Sequence, residues 1–229
     1  MLALAIDTST NICSVALVRD QVVESEINTT VRTGHAGKIL AIIDALLNMN
    51  GTAKQEVDLI AAGCGPGSFT GIRIGIASAK GLSMALGCPI IGISSLDTLA
   101  YGVMPSTIPI MPVIDARKSE IFCCLYSAGG IPRTTYMNIL PEEISDIVQE
   151  KTLFIGNGIS LCEDVLKERL GEKFVKGPRS LWNPRASVIG LTALDTLSSQ
   201  QSGEIEPIYV RPSDATLTLK RRSQRQLIT

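Results

Sequence analysis

Residues 5–18 read AIDTSTNICSVALV and residues 113–126 read VIDARKSEIFCCLY. Each places Ile-Asp at the end of an apolar run, then a short polar turn, then a second apolar run, as two paired strands do. The offset from Ile6 to Ile114 is 108 residues, close to half of the 229-residue chain. Repetition on that scale predicts two tandem related units.

The pattern extends outward from the first copy. Residues 2–6, 12–18 and 21–27 read as a three-stranded meander, with turns at Asp7–Asn11 and at Arg19-Asp20. A helix over 35–50 closed by Gly51, a strand over 57–62, a helix over 71–86 closed by Gly87 and a strand over 89–93 follow. Ser94-Ser-Leu-Asp97 has the form of a capping box for a helix to about Val103. This β-β-β-α-β-α-β-α order is that of a ribonuclease-H-like lobe. After the second copy come a strand near 131–138, a helix over 141–150, a strand over 152–155 and helices over 160–171 and 184–199. The expected architecture is therefore α/β, two tandem ribonuclease-H-like lobes over 1–104 and 105–215, parted near Pro105 and Pro109, with a basic tail over 216–229.

Composition narrows the function. A formal net charge of −1 disfavours nucleic-acid binding by the chain as a whole. Cysteines at 13, 64, 88, 123, 124 and 162 form no CxxC pair and several sit among apolar neighbours, which points to a reducing cytosol. No signal peptide or membrane-spanning run is evident. The single histidine, His35, is a poor basis for a metal site or a metallopeptidase, and GxSxG is absent.

Two loops are candidates for phosphate chemistry. Asp7-Thr8-Ser9-Thr10 resembles the phosphate loop of the sugar kinase, actin and Hsp70 (ASKHA) superfamily, where the Asp attracts hydrated magnesium; a plain Asx or Ser/Thr turn is the alternative. Its counterpart Asp115-Ala-Arg-Lys118 lacks the Gly and Thr of an active cleft, and Gly156-Asn-Gly158 reads as a turn or an adenosine seat. The block GCGPGSFTGIRIGIASAKG at 63–81 fits neither GxxxxGK[ST] nor GxGxxG. It reads instead as a loop turning on Gly65-Pro66-Gly67, with Ser68 or Thr70 capping a helix. On that helix Gly71, Gly75 and Ala79 form a smooth stripe, suited either to a partner helix or to this chain's own sheet. Ile39, Leu40, Ile42, Ile43, Leu46, Leu47 and Met49 spread over an arc of about 180° of the preceding helix, more than one core needs, which favours a subunit interface.

LAIDTSTNICSVAL, GHAGKILAIIDALL, GPGSFTGIRIGIASAKGL, GISSLDTLA, VIDAR and PIYVRPSDA together resemble the TsaB (YeaZ) family over residues 1 to about 215. The resemblance implies a non-catalytic dimerisation subunit in the synthesis of N6-threonylcarbamoyladenosine (t6A) on tRNA, working in the cytoplasm. Implied partners are a TsaD-like catalytic subunit and a TsaE-like ATPase, with ATP or ADP and metal held by those partners and no cofactor bound tightly here. It further implies a homodimer in isolation and tRNA met only through the complex. Carried onto this chain, the family's interface falls on His35, Ile39, Ile43 and Leu46 of the first helix and on Gly71, Arg73, Gly75 and Ala79 of the second. A degenerate ATP-using kinase-like enzyme and an M22-type peptidase are the competing readings. For the basic extension past Leu219 the resemblance implies nothing.

Overall fold

A computed structural model describes residues 1–31, 36–197 and 204–211. Strands β1 (Leu2–Asp7), β2 (Ile12–Arg19) and β3 (Val22–Thr30) form the antiparallel meander, and β4 (Leu59–Gly63) and β5 (Ile90–Ile93) add parallel to β1, giving the order β3-β2-β1-β4-β5. Helices α1 (Ala36–Met49) and α2 (Phe69–Leu86) connect them, and α3 (Ser95–Tyr101) follows. The second sheet repeats this plan with β6 (Ile110–Asp115), β7 (Ile121–Cys123), β8 (Met137–Ile139), β9 (Thr152–Ile155) and β10 (Phe174–Lys176) in the order β8-β7-β6-β9-β10. The two sheets thus correspond strand for strand, as the repeated Ile-Asp runs predict. Helices α4 (Ile144–Ile147), α5 (Ile159–Leu170) and α6 (Ala186–Leu197) complete the described fold.

Some elements differ from expectation. The helix expected over 141–150 is a 3-10 turn at Pro141–Glu143 followed by the single-turn α4. Pairing near 131–138 is reduced to an isolated bridge at Pro132 and the short β8, since proline has no N–H to donate to a ladder. Strand β10 is too short for periodicity to reveal, and is held by Phe174 packed edge-on against Phe154 with ring centroids 5.0 Å apart.

Strand β1 shows why the first sheet has two unlike faces. Its residues alternate large and small: Leu2, Leu4 and Ile6 join Ile39, Ile43, Leu46, Ile72 and Ile76 under α1 and α2. Ala3 and Ala5, with Ala16 and Ala61, make the opposite face shallow. Helix α6 lies on that alanine face through Ala186, Ile189 and Ala193, and Gly190 brings its backbone close to Ala5 and Val18.

Helix α6 was expected within the second lobe, yet it packs on the first sheet. Conversely α3 packs on the second sheet, with Leu96, Leu99 and Ala100 in the core around β6. A division at 104/105 therefore separates the strands but not the helices. Polar contacts hold each exchanged helix. The Ala186 N–H donates to Ser14 Oγ at 2.8 Å and the Ser187 N–H to Glu26 Oε1 at 2.9 Å, so the first sheet supplies the cap of α6. Arg185 adds a two-nitrogen grip on Glu26 Oε2. Burial works against the ionised Glu26, but the Ser187 N–H and the Arg185 guanidinium outweigh it and hold the carboxyl below the ordinary range. On α3, Ser94 caps the helix by accepting from the Leu96 and Asp97 N–H groups. The Asp97 carboxylate accepts from Tyr126 and Tyr136 of the second half, and this completes the helix's seat.

Candidate functional site

The loop Asp7–Thr10 is buried throughout, and each of its hydroxyls is bonded within the chain. Ser9 donates both its N–H (3.0 Å) and its hydroxyl (2.9 Å) to Asp7 Oδ1. Thr8 Oγ1 donates to the Gly71 carbonyl at 2.7 Å, and Thr10 Oγ1 accepts from the Ile12 N–H at 3.1 Å. Among the described residues Asp7 Oδ2 has no hydrogen-bond partner, and it faces Gly63, where an added Cβ would approach it to 1.9 Å. Burial pushes the Asp7 carboxyl up to about 7, while the two Ser9 donors pull the other way. A carboxylate enclosed in this manner does not fit the hydrated magnesium ion of a working phosphate loop, and no step through such an ion follows. Among the described residues no cluster of three or more His, Cys, Asp or Glu is placed to hold a metal.

The glycine block holds this loop. Ser68 caps α2 by accepting from the Gly71 N–H, and its own N–H donates to the Ser9 carbonyl at 2.7 Å. A Cβ at Gly67 would meet Ser9 O at 2.3 Å, one at Gly71 would meet Thr8 O at 2.0 Å, and one at Gly75 would meet Thr8 Oγ1 at 2.4 Å. The stripe Gly71-Gly75-Ala79 therefore seats the β1–β2 turn and its own sheet, not a partner helix. Ile39, Ile43 and Leu46 are likewise buried in the core of the first sheet, so the expectation that they lie exposed as an interface is corrected. Their burial answers to the large residues of β1. His35 lies outside the described residues. Arg73 is exposed, with its guanidinium 3.8 Å from the Phe69 ring centre and its Nε donating to Tyr209 Oη at 2.7 Å.

The outer surface of the same two helices is apolar in a different register. Helix α2 carries a second row of small residues, Ala77, Gly81 and Ala85, and all three are exposed; among the described residues nothing outside the helix's own turn lies within 4 Å of a Cβ built on Gly81. Beside the row, Met84 is 84% and Leu40 of α1 54% exposed. Between the helices runs a groove of about 270 Å³ lined by Leu40, Ile43, Leu47, Val57, Leu82 and Leu86 among others, with an Asp44–Lys54 pair (2.8 Å) at its rim. The rows Gly71-Gly75-Ala79 and Ala77-Gly81-Ala85 have identical spacing. Only the position of Thr8 tells them apart.

Between the lobes lies a cleft of about 630 Å³, lined from one side by Thr10, Ser68 and Thr70 and from the other by Asp115, Arg117 and Asn157, among others. Gly156 has φ +119° and its missing Cβ would collide with Val113 O at 2.1 Å, so Gly156-Asn-Gly158 is a turn pressed onto β6. Asn157 Oδ1 there accepts from the Asp115 N–H at 3.1 Å. The Arg117 N–H donates to Asp115 Oδ1 at 2.7 Å, and Arg117, Lys118 and Ser119 all take left-handed φ.

Two matched sheets, a closed loop at the end of β1 and a cleft between lobes define a two-lobed protein of the ASKHA type, built on ribonuclease-H-like units. Residues 22–213 match the family model described as TsaD: tRNA N6-adenosine threonylcarbamoyltransferase. The chain is 32% identical to the tRNA threonylcarbamoyladenosine biosynthesis protein TsaB of Bacillus subtilis, covering 94% of this chain and 96% of that protein. It is 35% identical to the Escherichia coli protein of the same name, over 73% of this chain and 76% of that one. A Pseudomonas aeruginosa crystal structure, described as having similarity to peptidase YeaZ, superposes with a TM-score of 0.76 at 28% identity, covering 92% and 99% of the two chains. The chain belongs to the TsaB (YeaZ) family.

Proposed function

We propose that this protein acts in t6A synthesis on tRNA as a non-catalytic subunit that docks and activates a TsaD-type catalytic subunit. The observation that carries the docking reading is the outer face of α1 and α2, where the exposed row Ala77-Gly81-Ala85 and Leu40 and Met84 flank an apolar groove. A smooth row allows close approach of another helix, and apolar area of this kind accounts for stable association. In isolation the same face joins two copies of the chain. Catalysis, nucleotide and metal belong to the TsaD-type partner and a TsaE-like ATPase. That assignment is supported by the internally bonded hydroxyls of Thr8, Ser9 and Thr10 and by the enclosed Asp7. Copurification from native extract, followed by identification of partners, tests the reading: a threonylcarbamoyltransferase homologue is expected in stoichiometric amount. Tight stoichiometric binding of Mg-ATP by the isolated chain in calorimetry would favour the kinase-like alternative instead.

A further inference from the structure

The first turns of α2 carry three exposed side chains gathered from two segments. The Arg73 guanidinium lies 3.8 Å from the centre of the Phe69 ring, and its Nε donates to Tyr209 Oη at 2.7 Å. The Phe69 and Tyr209 rings stack with centroids 5.1 Å apart, yet remain 39% and 44% exposed. Tyr209 is itself fixed from both lobes, because residues 204–211 run from one core to the other. Ile205 enters the first core, the Ile208 N–H donates to the Cys64 carbonyl (2.8 Å), Val210 packs against the second core and Arg211 pairs with Glu120 at 2.7 Å.

This cluster is continuous with the outer face of α2. The four-residue spacing of Ala85, Gly81 and Ala77 runs on through Arg73 to Phe69, and all five are exposed. They lie along one ridge of the helix. The charge on α2 is one-sided, for the helix holds Arg73 and Lys80 and no acid. Nearby acids are already taken, Glu204 by Lys80 (3.3 Å), Asp44 by Lys54 (2.8 Å) and Glu120 by Arg211. Among the described residues no carboxylate pairs with Arg73, although exposed Glu206 stands in the same segment as Tyr209. The bond to Tyr209 uses Nε, so the fork of terminal nitrogens, the group that grips carboxylates, has no hydrogen-bond partner among the described residues.

We propose that Arg73, held on Phe69 by Tyr209, is the charged anchor of the docking face and takes an Asp or Glu carboxylate of the transferase-type partner. The identity of that partner rests on the docking reading above; the missing acid opposite Arg73 does not. A ring against the guanidinium and a hydroxyl beside it restrict its rotamers before any partner arrives, so less entropy is lost on pairing. Arginine and aromatic side chains are also the types that dominate binding energy at interfaces. An ion pair left in water contributes little, but the exposed rings and the small row let a partner helix close over this one and exclude water. A second copy of this chain presents only cations on its own α2, so the anchor favours the transferase-type partner over self-association. Tyr209 acts as a positioning residue, and through it the second lobe helps to set the first lobe's docking face.

The test uses the full chain and the purified transferase homologue, with affinity read by calorimetry across a salt series. Arg73→Gln is expected to weaken binding at least about 10-fold and to flatten its salt dependence, and Arg73→Glu to weaken it further. Arg73→Lys keeps the charge but loses the fork and the stacking, so its affinity should fall between those of Arg73→Gln and wild type. Tyr209→Phe keeps the ring and removes the hydroxyl; binding should weaken several-fold with the salt dependence retained. Melting temperatures of the Arg73 variants should match wild type, since the residue is exposed. In the Arg73→Lys complex, carbodiimide should join the amine at position 73 to a carboxylate of the transferase, with loss of water, at a site that mass spectrometry identifies. Wild-type affinity in Arg73→Glu overturns the anchor and leaves the docking reading intact. Coupling only to Glu206, or loss of self-association without loss of transferase binding, also overturns it, by assigning Arg73 to contacts within or between copies of this chain. Absence of binding by wild type removes the docking reading, and the anchor with it.

Discussion

Thr8 occupies the space that a side chain at Gly75 would need, for a Cβ there would lie 2.4 Å from Thr8 Oγ1 while that hydroxyl donates to Gly71 O at 2.7 Å. The glycine helix and the β1–β2 turn are consequently fitted to each other. The expected cost of Gly75→Leu is overpacking of about 1–3 kcal/mol or more, despite the better helix propensity of Leu. Thermal denaturation of the isolated chain reads it. Gly75→Ala should also destabilise, and less so when combined with Thr8→Ala, because that change removes the clashing hydroxyl. A Gly75→Leu variant with normal stability and lost partner binding would restore the stripe as an interface.

The outer row predicts the opposite behaviour. Ala77→Arg and Gly81→Arg place charge on an open helix face, so stability should change by no more than about 0.5 kcal/mol for Ala77→Arg and should hold or rise for Gly81→Arg. Both should abolish self-association in sedimentation and copurification of the transferase homologue. Retention of both associations would remove this face from the proposed function.

Asp7 makes stability depend on pH near neutrality. Its folded pKa is raised by burial to about 7 from 3.8, so the folded state holds a proton that the unfolded state has released between those values. Stability from this group is full below about pH 4 and declines as pH rises to about 7, by as much as roughly 4 kcal/mol. Asp7→Asn should flatten that decline and raise the melting temperature at pH 8 relative to wild type. Parallel melting curves of the two proteins between pH 5 and 8 would argue against an enclosed Asp7.

Glu26 acts with the opposite sign. Its folded pKa is depressed from 4.5, so its contribution is present above that value and is lost as pH falls through the folded pKa. Glu26→Gln should cost about 1–3 kcal/mol at pH 7 by weakening the Arg185 grip and the cap on α6. The gap between variant and wild type should close on acidification. Chemical denaturation at pH 7 and pH 4 measures both.

Much of this was legible in residue patterns. The alternation of Leu2, Leu4 and Ile6 with Ala3 and Ala5 encodes one deep and one shallow sheet face, and Ser68, Ser94 and Gly87 mark helix ends that the structure shows. The exchange of α3 and α6 was not legible. An apolar helix face records that it is buried, not which sheet buries it, and Ser14 lies 172 residues from the Ala186 N–H that it holds. The two small-residue rows of α2 could not be told apart in the sequence for a related reason, since Gly71-Gly75-Ala79 and Ala77-Gly81-Ala85 have the same spacing and differ only in what lies opposite.

The placement of α6 on the first sheet and α3 on the second makes the chain, in effect, a domain-swapped pair of halves fused end to end. Severed between residues 104 and 105, each half would keep its five strands and lose a covering helix, exposing the alanine face of β1 in one and the seat around Tyr126 in the other. Neither half is then a free-standing unit, whereas the two fragments together retain every surface needed to reassemble. Neither lobe can be deleted without uncovering the core of the other.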